Sequence, residues 1–281
     1  MAADPDWNKS PLPVYAGMLA DYHQAFCGEL RQVVARLPVA PGATAVDLAC
    51  GDGSYTRWLA ERVGPAGRVL AADLSPAFLL QAKAAQREAP TAPRVKLVRM
   101  DVDHSPLAEG IADLVWCAQS LYSLPDPVEV VRRMGRLARP GGCVAVFESD
   151  EFHHILLPWP VDLEMSLRRA ELEAFEARSD RPKKYYVARS LTRVFREAGL
   201  PGCSIQAFAA CRQAPFDPAT KSFLTAYLER LRERTSPYLS AGDRSRVAEL
   251  TDPGSPRFML DDADASAVCV DHLAPATRPE T

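Results

Sequence analysis

The sequence lacks several features that define common protein classes. Its seven cysteines are odd in number, form no CxxC pair and mostly lie within apolar runs, which excludes a disulfide framework and a zinc ribbon. No run of about 20 apolar residues occurs, so no helix is expected to span a membrane. The N-terminus carries acids and prolines where a signal peptide needs a basic start and an apolar stretch. These absences predict a cytoplasmic protein that does not associate with membranes.

An excess of charge of one sign is also missing. The 281 residues include 33 Lys and Arg against 36 Asp and Glu, which gives a formal net charge of −3. Proteins that bind long nucleic acids usually carry a basic face, so nucleic acid is not expected as a partner. Hydrophobic residues at 47% and charged residues at 25% are ordinary for a globular protein. The length predicts one large domain, or one domain with an appendage.

What the sequence does have is an alternation of short apolar runs with helical segments. Between residues 43 and 150, strand-length runs are separated by segments in which apolar residues recur at helical spacing. The runs lie at 44–49, 68–74, 94–101, 112–119 and 143–149. This alternation is typical of βαβ units and predicts a parallel sheet that is covered by helices on both faces.

The loop after the first run has the composition of a ligand-binding turn. In an open α/β sheet, ligands bind beyond the carboxyl ends of the strands, and here the chain reads DLACGDGS over 47–54. Gly51 and Gly53 allow a sharp turn and a close approach of a ligand to backbone amides. Thr56 stands where a dinucleotide-binding GxGxxG motif has its third glycine, and no P-loop lysine follows. The loop therefore favours a ligand without a pyrophosphate.

Three carboxylates accompany this loop. Asp73 ends the second run, where a carboxylate can accept both hydroxyls of a ribose. Asp101 ends the third run, where an adenine amino group would need an acceptor, although helix capping is a rival role for it. Asp47 begins the loop and could face a ligand cation or bond the loop amides. Together these side chains favour a ligand that carries positive charge.

These motifs resemble the class I S-adenosylmethionine-dependent methyltransferases, especially the small-molecule group of quinone-biosynthesis C-methyltransferases and natural-product O- and N-methyltransferases. The resemblance spans residues 43–150, with five motifs in the family's order. They are VDLACGDGSYT (46–56), VLAADLS (69–75), RMDVD (99–103), ADLVWCAQSLYSLPDP (112–127) and LARPGGCVAVFE (137–148). Ala49 stands where that family usually has glycine, which is a mild change.

The resemblance implies a doubly wound α/β fold whose seven-stranded, mostly parallel sheet carries helical cap insertions. The last strand is antiparallel, and segments 204–211 and 266–273 suit the final positions. The tail after residue 273 is expected to be disordered. The implied divisions are an N-terminal arm (1–13) with a cap helix (14–37) at 1–42, a cofactor-binding core at 43–150, a substrate-cap insert at 151–188, and a C-terminal completion of the sheet at 189–281 with a helical insert at 213–262.

The resemblance also implies S-adenosylmethionine as the cofactor and S-adenosylhomocysteine as its product. The residues expected to bind them are Tyr15, Asp47, Ala49, Gly51, Gly53, Asp73, Leu74, Asp101, Val102, Cys117 and Gln119. No metal is expected, although Glu148, Asp150 and Glu151 form an acidic cluster of a kind that can hold Mg²⁺ with waters.

Substrate contacts are expected where the chain leaves the fifth strand. Tyr122, Phe152 and Trp159 are the predicted contacts, and core packing is the rival role for each of them. His153 and His154 are candidates for a general base, because transfer to oxygen or carbon requires removal of a proton whereas a neutral amine needs none. The alternative for the two histidines is one packed and one solvated imidazole.

Three functions stay open on the sequence alone. Methyl transfer to an oxygen, nitrogen or carbon atom of a small molecule is favoured. One alternative is an RNA or protein methyltransferase on the same fold, against which the acidic balance and the lack of an NPPY-type motif count. The other alternative is a non-catalytic scaffold that binds the cofactor. The apolar face of the 213–262 insert must be buried, either as a lid over the site or in a homodimer contact.

Overall fold

The protein is described by a computed structural model over residues 11–87, 94–178 and 182–280. Its strands are β1 Thr44–Leu48, β2 Arg68–Asp73, β3 Val95–Arg99, β4 Ala112–Ala118, β5 Ala138–Ser149, β6 Ile155–Leu156, β7 Gln206–Gln213 and β8 Ser266–Thr277. Its α-helices are α1 Ala16–Ala25, α2 Cys27–Ala35, α3 Ser54–Val63, α4 Pro76–Arg87, α5 Pro127–Leu137, α6 Val161–Arg178, α7 Leu191–Glu197, α8 Pro218–Thr235 and α9 Ala241–Thr251.

The strands form one mixed sheet in the order β3-β2-β1-β4-β5-β8, with β7 on the far side of β8. β1 to β5 are parallel, and β8 runs antiparallel to both β5 and β7. The predicted seven-stranded, mostly parallel sheet is thereby confirmed. An additional short strand, β6, pairs with β8 beyond the end of β5. The strand order reverses between β1 and β4, which is where an open α/β sheet forms a ligand crevice.

Apolar side chains cover both faces of the sheet, because a parallel sheet of this kind is buried on both sides. On one face, Trp116 and Phe147 stack with ring centroids 6.1 Å apart beneath α2 and α3. On the other face, Met134 of α5 and Phe195 of α7 are fully buried. None of the helices within the described ranges is long and apolar enough to cross a membrane.

The predicted helix over 14–37 is two helices. Phe26 separates α1 from α2, with a φ of −113° and a ψ of 18° that are not helical. Its ring packs against the rings of Tyr22 and Phe223, at centroid distances of 5.2 and 5.8 Å. The apolar spacing continues across the break because both helices bury the same side, so periodicity could not reveal it. Residues 1–10 of the predicted arm lie outside the described residues.

The predicted disorder of the C-terminal tail is wrong for its first residues. β8 continues to Thr277, and Ala274 and Ala276 are buried and pair with Val146 and Val144 of β5. The segment is ordered because the backbone groups on this side of β5 need partners, and β8 supplies them.

Gly53, the residue before α3, offers a stability test of the tight glycine turn. Its φ is +81°, and a Cβ atom there would lie 2.9 Å from the Cβ of Ala82 on α4. We expect Gly53→Ala to lower the free energy of unfolding by about 1–3 kcal/mol, since left-handed backbone costs a non-glycine residue 1–2 kcal/mol before any clash. Urea unfolding measures this loss. Gly28→Ala is the matched control, because a Cβ on Gly28 of α2 would meet nothing within 4 Å; an equal loss in both variants would contradict the account.

Candidate active-site cleft

A cleft of about 760 Å³ opens at the carboxyl ends of the central strands. Its floor is formed by the loops that follow β1, β2, β3, β4 and β5, and its roof by α1 and α8. The two roof helices pack on each other, with the rings of Tyr22 and Phe223 centred 5.2 Å apart. The apolar face of the insert, including Phe223 and Leu231, is therefore buried within the chain. This is the lid arrangement that the sequence left as one of two options.

The glycine loop is held to the end of β2 by Asp73. The Asp73 carboxylate accepts hydrogen bonds from the Gly51 amide at 2.9 Å and from the Ser75 amide at 2.8 Å, and burial raises its pKa. A Cβ on Gly51, whose φ is +53°, would meet only Leu19, at 3.7 Å. At the mouth, the ring of Tyr15 lies 6.0 Å from that of Phe78. Asp73 and the loop amides thus form one wall of the cleft.

Eight of the predicted cofactor residues line this cleft: Tyr15, Ala49, Gly51, Asp73, Leu74, Asp101, Val102 and Gln119. Ala49 and Gln119 have positive φ angles of 55° and 48°, although neither is a glycine. Such backbone strain is characteristic of functional sites. Asp101 also caps the short helical turn that follows β3, because it accepts a hydrogen bond from the Asp103 amide at 2.9 Å. The capping role is therefore observed, and the position of Asp101 in the cleft is compatible with the acceptor role.

Three predicted cofactor residues lie behind the cleft wall. Asp47 is buried and accepts a hydrogen bond from the Thr56 hydroxyl at 2.6 Å, and burial raises its pKa to about 7. Gly53 contacts α4 instead of the cleft. Cys117 faces the apolar core, because successive residues of β4 point to opposite sides of the sheet. These residues shape the loop and the sheet behind the cleft.

At the other end of the cleft lies Glu148, the second-last residue of β5. Its carboxyl group is buried and has no basic partner among the described residues. It accepts hydrogen bonds from the Tyr122 amide at 3.2 Å and from its neighbour Ser149 at 3.1 Å. Burial raises the pKa of the Glu148 carboxyl to about 8, so the group is largely protonated at neutral pH. Burial also raises the pKa of the Tyr122 hydroxyl and of the Glu151 carboxyl, and both residues line the cleft.

The acidic cluster of the sequence is divided in space. Asp150 pairs with Arg189, outside the cleft, whereas Glu148 and Glu151 line it. Within residues 11–87, 94–178 and 182–280, no group of three or more His, Cys, Asp or Glu is arranged to hold a metal ion.

The two candidate histidines lie on opposite sides of their loop. His154 lines the cleft, and its Nε2 is 3.4 Å from Asp271 Oδ1. His153 is exposed, and its Nδ1 is 2.7 Å from the Arg189 guanidinium. The separation follows from a turn in which Asp150 accepts hydrogen bonds from the amides of Phe152 and His153. His153 therefore cannot reach a bound acceptor.

Phe152 and Trp159, two of the predicted substrate contacts, also lie outside the cleft. Phe152 packs edge-on against Phe175, with ring centroids 5.4 Å apart, and Trp159 is buried in the main apolar core. Both belong to the packing that attaches α6 to the sheet, which was the rival role for each aromatic. Tyr122 is the predicted substrate contact that does line the cleft.

Several lining residues were not predicted as site residues from the sequence. They are His23 of α1, Glu148 and Glu151 after β5, and Tyr227, Arg230 and Arg234 of α8. Tyr22 also lines the cleft, as expected for an N-terminal helix that folds over the cofactor. His23 also fixes the lid, because its Nδ1 lies 3.0 Å from Asp52 Oδ2 in the glycine loop. Long-range packing brings these residues together, and a single sequence carries no signal for it. Asp271, which contacts Tyr22 behind the cleft wall, does carry a sequence signal, because it is the one Asp or Glu within the mostly apolar strand β8.

The central part of the chain is similar to known methyltransferases. Residues 46–146 match the family described as "Methyltransferase domain". Similar curated proteins include a demethylmenaquinone methyltransferase from Lysinibacillus sphaericus, 29% identical over 128 residues, or 46% of this chain and 53% of that protein. Methyltransferase GfsG from Streptomyces halstedii is 34% identical over 115 residues, 41% of each chain. The chain thus matches about half or less of the length of these relatives.

The fold extends beyond that match. The structure of phosphoethanolamine N-methyltransferase 2 from Haemonchus contortus, in complex with S-adenosyl-L-methionine, superposes with a TM-score of 0.53 at 14% identity. The superposition covers 99% of this chain and 60% of that one. At this identity the likeness shows a shared fold.

Proposed function

Starting from a class I methyltransferase domain over residues 46–146, we propose that the chain transfers the methyl group of S-adenosylmethionine to a small-molecule acceptor. One observation carries the proposal. The cleft joins the Gly51–Asp73 wall to a roofed end that contains Glu148, Tyr122 and His154. A cofactor half and an acceptor half thus share one crevice at the switch point of the sheet.

The residues at the glycine loop fit S-adenosylmethionine. A Cβ on Gly51 would meet only the Leu19 side chain, at 3.7 Å, so a ligand can approach the backbone of this loop closely. Asp73 keeps acceptor capacity beyond the two amides that it holds, because a carboxylate has about four lone-pair sites. It would accept the ribose hydroxyls, and Asp101 would accept the adenine amino group. When bound, S-adenosylmethionine supplies a methyl group activated by a sulfonium charge.

The chain's own contribution to the reaction is alignment, exclusion of water and removal of a proton. The roof formed by α1 and α8 covers the cleft, and holding two reactants in line replaces a costly bimolecular encounter. His154 would take the proton from an oxygen or carbon acceptor, because an imidazole is suited to general base catalysis near neutral pH. Tyr122 would contact the acceptor beside it.

Two considerations favour a small molecule over RNA or protein as the acceptor. The acceptor end lies beneath α8, so its volume suits a compact ligand. One of the similar proteins is named for demethylmenaquinone, a small molecule, which supports the same class. We also propose that substrate choice depends on α1, the loop after β5 and the insert that contains α8.

A transfer assay with methyl-labelled S-adenosylmethionine tests this function. The protein is incubated in parallel with a fractionated metabolite extract, with tRNA and with a protein fraction. We expect label in the low-molecular-weight fraction alone. Label in tRNA or protein would overturn the acceptor class, and binding of S-adenosylhomocysteine without transfer to any fraction would indicate a non-catalytic scaffold.

A further inference from the structure

A network of polar side chains joins distant parts of the chain at the acceptor end of the cleft. Asp271 of β8 is buried, with 5% of its surface exposed. Its Oδ2 accepts a hydrogen bond from Tyr22 Oη at 2.9 Å, and its Oδ1 accepts one from Ser149 Oγ at 2.5 Å. His154 Nε2 lies 3.4 Å from the same Oδ1. The Asp271 carboxylate therefore connects four parts of the chain: helix α1, the end of β5, the loop before β6, and β8.

The two ring nitrogens of His154 differ in their surroundings. Nε2 is buried and has no aligned hydrogen-bond partner among the described residues, although it lies at ion-pair distance from Asp271. Nδ1 is not among the buried unpaired atoms, so it is on the accessible side of the ring. Catalytic hydrogen bonds are often long before substrate binds and tighten in the complex. The geometry suits a bond from Nε2–H to Asp271 that leaves Nδ1 free toward the cleft.

We propose that Asp271 is the positioning residue for His154, that Tyr22 of the lid helix completes the pair, and that the acceptor is accordingly an oxygen or carbon atom that must lose a proton. The proposal rests on the methyl-transfer function proposed above. The Tyr22 hydroxyl can reach Asp271 only when α1 covers the cleft, so closure of the lid and orientation of the base form one event. A neutral amine would need no such arrangement, because it loses no proton before attack.

The transfer moves one proton to His154 and one methyl group to the acceptor. Nδ1 of His154 takes the proton of the acceptor while the acceptor oxygen or carbon forms its bond to the methyl carbon. The carbon–sulfur bond breaks, and its electron pair stays on sulfur. The imidazolium that results faces Asp271 of β8 and Glu151 of its own loop, both acidic, and the ring of Tyr22 of α1. The opposite charges stabilise it.

Chemical modification of the histidines tests the pairing without knowledge of the acceptor. Diethyl pyrocarbonate acylates unprotonated imidazole nitrogens, and peptide mass spectrometry resolves the rate at each residue. On the pH plateau of the reaction, where the rate no longer rises with pH, we expect Asp271→Asn to slow modification of His154 roughly twofold to tenfold, the factor that the loss of one hydrogen bond gives. Nδ1 is a weaker nucleophile when Nε2–H no longer has the carboxylate as its acceptor. His153, the exposed neighbour in the same peptide, is the internal control and should react at an unchanged rate.

Tyr22→Phe is the second variant, and it decides alone if Asp271→Asn does not fold. It removes the donor to Asp271 but keeps the ring that packs on Phe26 and Phe223. We expect a smaller decrease in the same direction, with thermal unfolding and S-adenosylhomocysteine binding retained. An unchanged rate at His154 in the folded variants, or an equal change at His153, overturns the pairing. An N-methylated product in the transfer assay overturns the assignment of an oxygen or carbon acceptor.

The histidine modification experiment can fail independently of the test of the proposed function. If the variants slow modification of His154 but the protein does not bind S-adenosylhomocysteine, the pairing of Asp271 with His154 stands and the methyl-transfer proposal fails. If the protein transfers methyl groups but the variants leave the modification rate of His154 unchanged, the methyl-transfer proposal stands and the pairing fails.

Discussion

Replacing Asp73 by alanine is expected to weaken the binding of S-adenosylhomocysteine roughly tenfold to a hundredfold, or about 1.5–3 kcal/mol, the range for hydrogen bonds to a charged group. The carboxylate forms the wall of the cleft beside Gly51 and holds that residue's amide. Asp73→Asn should fall between the wild type and alanine, because an amide keeps one acceptor oxygen. Calorimetric titration of the folded variants measures the affinities.

The control for this prediction is Asp113→Ala. Asp113 also accepts a backbone hydrogen bond, from the Thr44 amide at 2.7 Å, but it does not line the cleft. Both alanine variants should lose some stability, since each leaves a backbone amide without its partner. Only Asp73→Ala should lose affinity. Wild-type affinity in Asp73→Ala would remove this residue from the cofactor site.

The buried carboxyl of Glu148 is expected to make the protein less stable as the pH rises from 6 to 8. Its pKa is about 8 when folded against an ordinary value of 4.5, so in this window the folded state keeps a proton that the unfolded chain releases. Folding then takes up a proton, and the free energy of unfolding falls by up to about 1.4 kcal/mol per pH unit. Asp47 adds a loss of the same sign below its pKa of about 7.

Urea unfolding at pH 6, 7 and 8 measures this dependence. Glu148→Gln, which keeps the shape of the side chain and cannot ionise, should flatten the loss most clearly between pH 7 and 8. Glu233→Gln, on the exposed side of α8, should leave the wild-type slope unchanged. Parallel slopes for the wild type and Glu148→Gln would show that this carboxyl is already ionised in the folded protein.

The core of the fold was predictable because local and global signals agree there. β1 and β4 are mostly apolar and are buried almost throughout, since both faces of the sheet are covered, and α3 ends before Gly64 as its sequence indicates. The tail was misjudged for the opposite reason. Ala274, Pro275 and Ala276 have little strand propensity, and their order comes from pairing with β5.

The candidate site also has residues that the sequence predicts correctly and residues that it does not. Asp73 and Gly51 are found from the sequence because their position in the βα unit determines where they point. Phe152, His153 and Trp159 were misplaced because the direction of a side chain after a strand depends on the turn that follows. Here that turn is organised by Asp150. Arg234 lines the cleft, and Asp271 contacts the cleft residue Tyr22, through contacts between segments far apart in the chain.

Calorimetric titration of the full chain with S-adenosylhomocysteine, and in parallel with NAD, tests the central claim most directly. The account predicts one saturable site with a roughly micromolar Kd for S-adenosylhomocysteine, about −8 kcal/mol in free energy. No binding of NAD is predicted, because the glycine loop lacks the third glycine of a dinucleotide site. Absence of S-adenosylhomocysteine binding, or equal binding of NAD, would contradict it.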